Sequence, residues 1–359
     1  MTEVFRTQRI ECELILTTAL PHEIQVYAVG NALVDTEFEV DDSFLREQKI
    51  DKGQMTLVDA SRLKDLMHAL RELRPARDAG GSAANTTIAV RGFGGTAFYS
   101  CRVANDEEGE HFLHGMRRAG VRTVTNERRE EDDVAADAQA ETGRCLVLIT
   151  PDAERTMSTY LGISEQLGVA QLDLDAIRRS KYVYLEGYLA SSDTGREAAI
   201  AAREHAERNG ALTSLTLSDV SMVSYFREQL ERMAGNGVHT LFCNENEALA
   251  WCRTDRVDVA ALELKDIAQH LVITLGKRGA LVQSGRQGRE VGGFPVQAID
   301  TNGAGDMFAG AALWALTQGR DLASAARFAN FAAARLVTHF GARLPFAQYA
   351  QLRDTYPGD

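Results

Sequence analysis

Asp300-Thr301-Asn302-Gly303-Ala304-Gly305-Asp306 sets a carboxylate directly behind a Gly-Ala-Gly turn and ahead of an Ala-rich stretch. Such a turn marks a helix start, where the first amides are unpaired and the helix dipole is positive. Amides of Ala304, Gly305 and Asp306 aimed at one point would stabilise the charge that grows on a phosphoryl group in flight. The Asp306 carboxylate would accept the proton of an attacking alcohol. Two needs of phosphoryl transfer are thus met in consecutive residues. The plainer alternative is an acid that only stabilises a helix end. On the dipole argument Asp306 has a low pKa, which suits a proton that moves late in a loose transition state.

A second Gly-rich stretch, Gly80-Gly81-Ser82-Ala83-Ala84-Asn85, also leads into a helix. It lets backbone approach a ligand while Ser82 or Asn85 supplies hydrogen bonds, although tight strand-to-helix packing needs the same residues. Neither stretch satisfies the P-loop pattern, and no G-x-G-x-x-G follows the first strand, so those nucleotide folds are excluded. Other polar groups fall where strands end, the usual ligand position of an open α/β sheet. Asp35 follows the first strand, Glu186 closes "YVYLEGY", and Asn244 and Glu247 follow "TLFC" at helical spacing. Each alone reads as a cap or a surface residue; their convergence on one edge makes the site. His111 and His114 share a helix face but lack a third ligand, so a zinc site is not expected.

Positioning these groups requires strands alternating with helices. Apolar runs predict strands at Ile24–Gly30, Thr96–Val103, Tyr182–Glu186, Leu212–Leu217, Thr240–Cys243 and Leu271–Leu275. Helices are predicted at Ala60–Leu73, Ala83–Gly92, Glu107–Ala119, Thr194–Asn209, Ser221–Ala234, Glu245–Cys252, Asp258–Ala268, Gly303–Leu316 and Leu322–Thr338. The order is βαβα, which builds a mostly parallel sheet covered on both faces, an α/β/α sandwich. Residues 34–58 and 121–163 break the rhythm with alternating patterns and turn signals, and read as antiparallel strands of a small lid. Phe38, Phe44, Met55, Met157 and Tyr160 are either its core or a slot for a ligand. The acidic run 126–137 reads as a solvated loop.

The chain has 359 residues, 45% of them hydrophobic, enough for a substantial core. Its 39 basic and 51 acidic residues give a formal charge of -12, which repels nucleic acid and anionic membranes alike. Five scattered cysteines without a C-x-x-C pair fit reduced thiols and a cytoplasmic location. Residues 1–23 lack the plan of a signal peptide, and no apolar run suits a membrane span.

These motifs resemble the ribokinase-type sugar and nucleoside kinases, the PfkB family, over most of the chain from Ile24 to Arg343. "GGSAANTTIAVRGFGG" at 80–95 and "DTNGAGDMFAGAAL" at 300–313 match its two signature regions, with the N-x-x-E of Asn244 to Glu247 and "ITLGKRGALV" at 273–282 between them. "GNALVD", "CLVLITPDAERTMSTYLG", "YLEGYL" and "LTLSD" are most similar to a bacterial adenosine kinase-like branch. The resemblance implies a ribokinase-like three-layer fold with a β-strand lid, a kinase domain over 24–343, an N-terminal extension at 1–23 and a C-terminal tail at 344–359. It implies Asp306 as catalytic base and Gly303, Ala304 and Gly305 as the anion hole. Asp35, Gly81, Asn85 and Glu186 would hold the acceptor. Asn244, Thr274, Gly276 and Asn330 would lie at ATP, with Asn244 and Glu247 orienting Mg²⁺ through water. Asp300 and Asn302 match a loop that binds a monovalent cation such as K⁺ in some members, and Arg155 would reach from the lid towards phosphate. The implied reaction moves the γ-phosphoryl of ATP to a primary hydroxyl of a ribonucleoside such as adenosine; a free sugar or sugar acid is the alternative acceptor. A non-catalytic sensor is the remaining reading, against which Asp306, the Gly-Ala-Gly turn and Asn244 with Glu247 argue. Lid strands with exposed edges pair between subunits in some members, so a homodimer through the lid is a further expectation.

Overall fold

Fourteen strands occur among the described residues, which in this computed structural model are 23–124, 140–152, 154–285 and 287–358. In chain order they are β1 (Ile24–Val29), β2 (Leu33–Glu39), β3 (Met55–Leu57), β4 (Ala76–Gly80), β5 (Ala97–Ser100), β6 (Arg122–Thr123), β7 (Gly143–Ile149), β8 (Arg155–Tyr160), β9 (Ser180–Leu185), β10 (Leu212–Thr216), β11 (Val238–Asn244), β12 (Ala268–Thr274), β13 (Gly279–Ser284) and β14 (Gln287–Gly292). Nine form one sheet in the order β14-β13-β12-β11-β10-β9-β1-β5-β6, parallel from β12 to β6 and antiparallel where the β13–β14 hairpin closes one edge.

The strand period of two splits the core into two layers. Val26 and Ala28 of β1 face one layer, with the helices Ser82–Gly92, Ala304–Thr317 and Leu322–Leu336. Tyr27 and Val29 face the other, with Asp193–Arg208, Val220–Ala234 and Glu245–Cys252. The expected α/β/α sandwich is therefore observed. The helix expected at Asp258–Ala268 is shorter: it stops at Glu263, and Ala268 opens β12. The segment expected as a C-terminal tail forms the helix Phe346–Thr355, because Tyr349 and Leu352 find apolar cover there.

The lid is a second sheet in the order β3-β8-β7-β2-β4. It is mixed rather than antiparallel: β2 runs parallel to β7, and β3 to β8. β2 and β7 start side by side at the body, Leu33 opposite Gly143, and so extend the same way. β6, within the predicted lid segment, instead pairs with β5 in the large sheet. Alternation divides the lid as well. Phe38, Leu146 and Leu148 pack with Leu45, Leu63 and Leu66, while Cys145, Val147 and Met157 form a separate apolar group on the other side. The N-terminal residues 1–22 and the acidic run 126–137 lie outside the described residues.

Candidate active site

The C-terminal ends of β1, β9, β10, β11 and β12 open into a cavity of about 320 Å³, roofed by the lid. Asn31, Glu186, Ser218, Asn244 and Thr274 come from those strand ends, and Leu33, Asp35, Met55, Val147, Arg155 and Met157 from the lid. Gly303 to Asp306 also line it. Such a cavity falls in the ordinary range for a small-molecule site.

Both glycine turns are needed for geometric reasons. Gly81 has φ +99°, and a Cβ there would overlap the Asn31 carbonyl oxygen. Gly303 has φ +69°, and its Cβ would overlap the carbonyl oxygen of Ala342. By contrast, nothing lies within 4 Å of the Cβ position of Gly305. The Ala304 amide donates to the Thr301 carbonyl at 3.2 Å, closing the turn, so it is not free for an anion. Among the described residues the amides of Gly305 and Asp306 have no such partner. Of the expected Gly303–Gly305 set, only the Ala304 amide is thus engaged by the turn itself.

Asp306 lies in the first turn of the helix Ala304–Thr317 and faces the second glycine stretch. Its Oδ1 accepts from the Ser82 hydroxyl at 2.7 Å and its Oδ2 from the Asn85 amide at 3.1 Å. Burial pushes its carboxyl up to about 6, against the hydrogen bonds from Ser82 and Asn85 and the charges of Arg155 and Arg343. The dipole argument predicted the reverse direction. Desolvation wins because lid, glycine turn and helix enclose the group. Asp35 is raised further, to about 8, by burial and the nearby Glu37, Asp78 and Asp306 carboxylates, with Arg343 opposing.

Some expected ligand contacts are already engaged. Glu186 is buried; its Oε1 lies 3.3 Å from both the backbone N and Nδ2 of Asn31, and its Oε2 accepts from the Ala83 amide at 2.9 Å. It braces the Gly80–Ala83 turn, and burial holds its carboxyl near 7. Asn85 spends its amide on Asp306 and its oxygen on Arg343 Nε, 2.8 Å away. Asn244 and Glu247 form a capping box: the Asn244 side chain accepts from the Glu247 amide at 2.8 Å, and Glu247 Oε2 accepts from the Asn244 amide at 3.1 Å. Thr274 pairs in register with Asn244 and lines the cavity. Gly276, in the turn after β12, and Asn330 do not line it. The Asn330 amide instead faces the Val291 and Gly292 carbonyls at 3.1 and 3.3 Å, tying a helix to β14.

Asp300 is buried, and the residues expected around a monovalent cation are held from within the protein. Its Oδ1 accepts from the Asn302 amide and its Oδ2 from the Gly341 amide, both at 2.8 Å. Arg155 joins this loop rather than an open phosphate position. The lid residues split between both expected roles: Met55 and Met157 line the cavity, while Phe38, Phe44 and Tyr160 pack in the lid core.

Two contributors went unrecognised in the sequence. Glu37 accepts from the Asn302 side chain at 3.2 Å; its spacing of two from Asp35 along β2 was the available signal. Arg343 bridges Asn85 and Asp78 and lies 258 positions from Asn85, where no local pattern marks it.

Comparison with known proteins agrees with this architecture. The chain resembles the adenosine kinase of Saccharomyces cerevisiae, with 27% identity over 88% of this chain and 96% of the relative. It resembles a fructokinase of Solanum tuberosum at 29% identity over 65% of this chain and 70% of the relative. The crystal structure of an adenosine kinase from Sinorhizobium meliloti superposes with a TM-score of 0.83 and 34% identity, covering 92% of this chain and 99% of that one. A probable sugar kinase from Rhizobium etli gives 0.82 and 30%, with 92% and 98% coverage. Residues 53–348 match the pfkB family of carbohydrate kinases, and with that match spanning most of the chain, the protein belongs to that family.

Proposed function

We propose that this pfkB-family kinase, an ATP-dependent phosphotransferase of a nucleoside or sugar, takes a ribonucleoside as its acceptor, with adenosine first, and that Asp306 takes the proton of its primary hydroxyl. The observation that carries this reading is the mixed lining of the cavity. The carboxyls of Asp35 and Asp306, near enough to repel one another, suit the hydroxyls of a ribose, and the apolar Met55, Leu57, Val147 and Met157 of the lid suit a flat base. The likeness to the two adenosine kinases supports it. A free sugar such as fructose is the second reading, favoured by the likeness to the fructokinase and the probable sugar kinase.

With its carboxyl near 6, Asp306 is ionised at neutral pH yet basic enough to take a proton as the oxygen–phosphorus bond forms. Asp35, near 8, stays largely protonated, so it can both donate to and accept from a ribose hydroxyl. The Gly305 and Asp306 amides would face the phosphoryl group, and the lid would exclude water that competes with the acceptor. Mg²⁺ would be held near Glu247 through water, since its carboxylate oxygens are already oriented by hydrogen bonds from Asn244; when bound it would neutralise phosphate charge. Among the described residues no cluster of three or more acidic, His or Cys side chains could hold a metal directly.

The test is ATP depletion with the purified protein over adenosine, other nucleosides, hexoses, pentoses and keto-deoxy sugar acids. Turnover with adenosine at a kcat/KM at least about tenfold above any free sugar is the expected result. Preference for a sugar would reject the nucleoside reading.

A further inference from the structure

The three nitrogens of the Arg155 guanidinium lie within 3 Å of three different oxygens of the loop ahead of the Gly-Ala-Gly turn. Nε lies 2.9 Å from Asp300 Oδ1, Nη1 donates to Asn302 Oδ1 at 2.9 Å and Nη2 donates to Thr301 Oγ1 at 2.8 Å. The Arg155 side chain is 16% exposed and that of Asp300 is fully buried. A monovalent cation at this loop would need oxygens of that kind, and N–H groups already point at Asn302 and Thr301. The remaining Asp300 oxygen accepts from the Gly341 amide at 2.8 Å. The side-chain oxygens of the loop are thus already met by N–H groups of the protein rather than left open to an alkali-metal ion. It already holds a positive charge, supplied by a planar donor fork that suits carboxylate and amide oxygens and sheds water more readily than an ammonium.

Arg155 is the first residue of β8, so this charge arrives with the lid. Glu37, from β2 of the same lid, accepts from the Asn302 side-chain amide. Two lid strands thus grip a loop that ends one residue before the αL glycine of the phosphoryl-binding turn.

We propose that the Arg155 guanidinium is the resident cation of the Asp300–Asn302 loop, and that the docked lid, rather than an alkali-metal ion, holds the anion hole in place. Arg155 is then a positioning residue. The proposal rests on phosphoryl transfer as the reaction, and it predicts an enzyme indifferent to monovalent cations.

The test has two arms. In the first, Tm and kcat of the wild-type protein are compared in KCl, NaCl and N-methylglucamine chloride at equal ionic strength, using whichever acceptor the screen returns. No Tm difference between the salts and a kcat within about twofold are expected. A specific K⁺ stabilisation, or an activation of about fivefold or more, overturns the proposal. The Tm arm needs no acceptor, so a wrong acceptor and a wrong cation are told apart. In the second arm, Arg155→Ala should lower kcat more than it raises the KM for ATP, and added guanidinium or K⁺ should restore part of the loss. A variant with unchanged kcat and a raised KM for ATP would show that the arginine serves the nucleotide instead. A lowered kcat that neither ion restores would also reject the proposal. If the alanine variant does not fold, the neutral Arg155→Gln replaces it with the same expectations, and the wild-type arm stands regardless.

Discussion

As the proposed base, Asp306 joins two demands that oppose each other. A base must be ionised at working pH, yet it must bind a proton well enough to take one. Burial raises the group to about 6, while Ser82, Asn85 and the two arginines keep it from rising further. Asp306→Asn keeps the Ser82 and Asn85 neighbours but removes the proton acceptor. It should leave acceptor and ATP affinity within a few-fold and lower kcat by about 10² or more, as steady-state kinetics would show. The pH profile follows from the two carboxyls with their signs. The active form needs Asp306 ionised, so kcat/KM should rise with pH through about 6. It needs Asp35 protonated, so kcat/KM should fall as pH passes about 8. Asp35→Asn, which mimics the neutral acid, should keep the acidic limb and flatten the alkaline one. A wild-type profile without an acidic limb near 6 would remove Asp306 as the titrating base.

At the scale of the element, the lid separates stability from specificity by the alternation of its strands. Phe38 points into the lid core with Leu45, Leu63 and Leu66, and Met157 points over the cavity. Phe38→Ala should cost about 3–5 kcal/mol of local stability, visible as a lower Tm. It should leave the ratio of nucleoside to sugar turnover in place. Met157→Ala should hardly move Tm but raise the nucleoside KM by about tenfold, the worth of a partly buried thioether side chain. Loss of selectivity in Phe38→Ala with none in Met157→Ala would mean that the lid presents its other face to the ligand. The lid strand itself was legible in the apolar run "CLVLIT". Which face met the cavity was not, because period-two patterning distinguishes two faces without naming their neighbours.

Across the whole molecule, the C-terminal helix supports the active site from behind. Tyr349 is buried and packs edge-on against Phe93 with ring centroids 5.3 Å apart; Phe93 in turn meets Trp314 and Phe328. Gly92 lies so close to the Tyr349 ring that a Cβ there would overlap it. This contact presses on the end of the helix that carries Asn85 in its first turn. Tyr349→Ala should therefore lose about 3–5 kcal/mol of stability in denaturant titration, with kcat close to wild type below the melting transition. An unchanged midpoint would show that the helix is only appended to the body.

Local residue types determined what short-range physics controls. They marked the two glycine turns, the helix start at Asp306, the alternation of strands and helices, and a small lid of strands. Tertiary structure alone decided the charge states and the partners. The carboxyl of Asp306 moved up because burial outweighs the helix dipole, and burial is a property of distant elements meeting. Asn302 met Arg155 across 147 positions and Asn85 met Arg343 across 258, separations over which no spacing rule operates. For the same reason Glu186 and Asn330 became braces: an isolated polar residue carries no sign of whether its partner will be a ligand or the protein's own backbone.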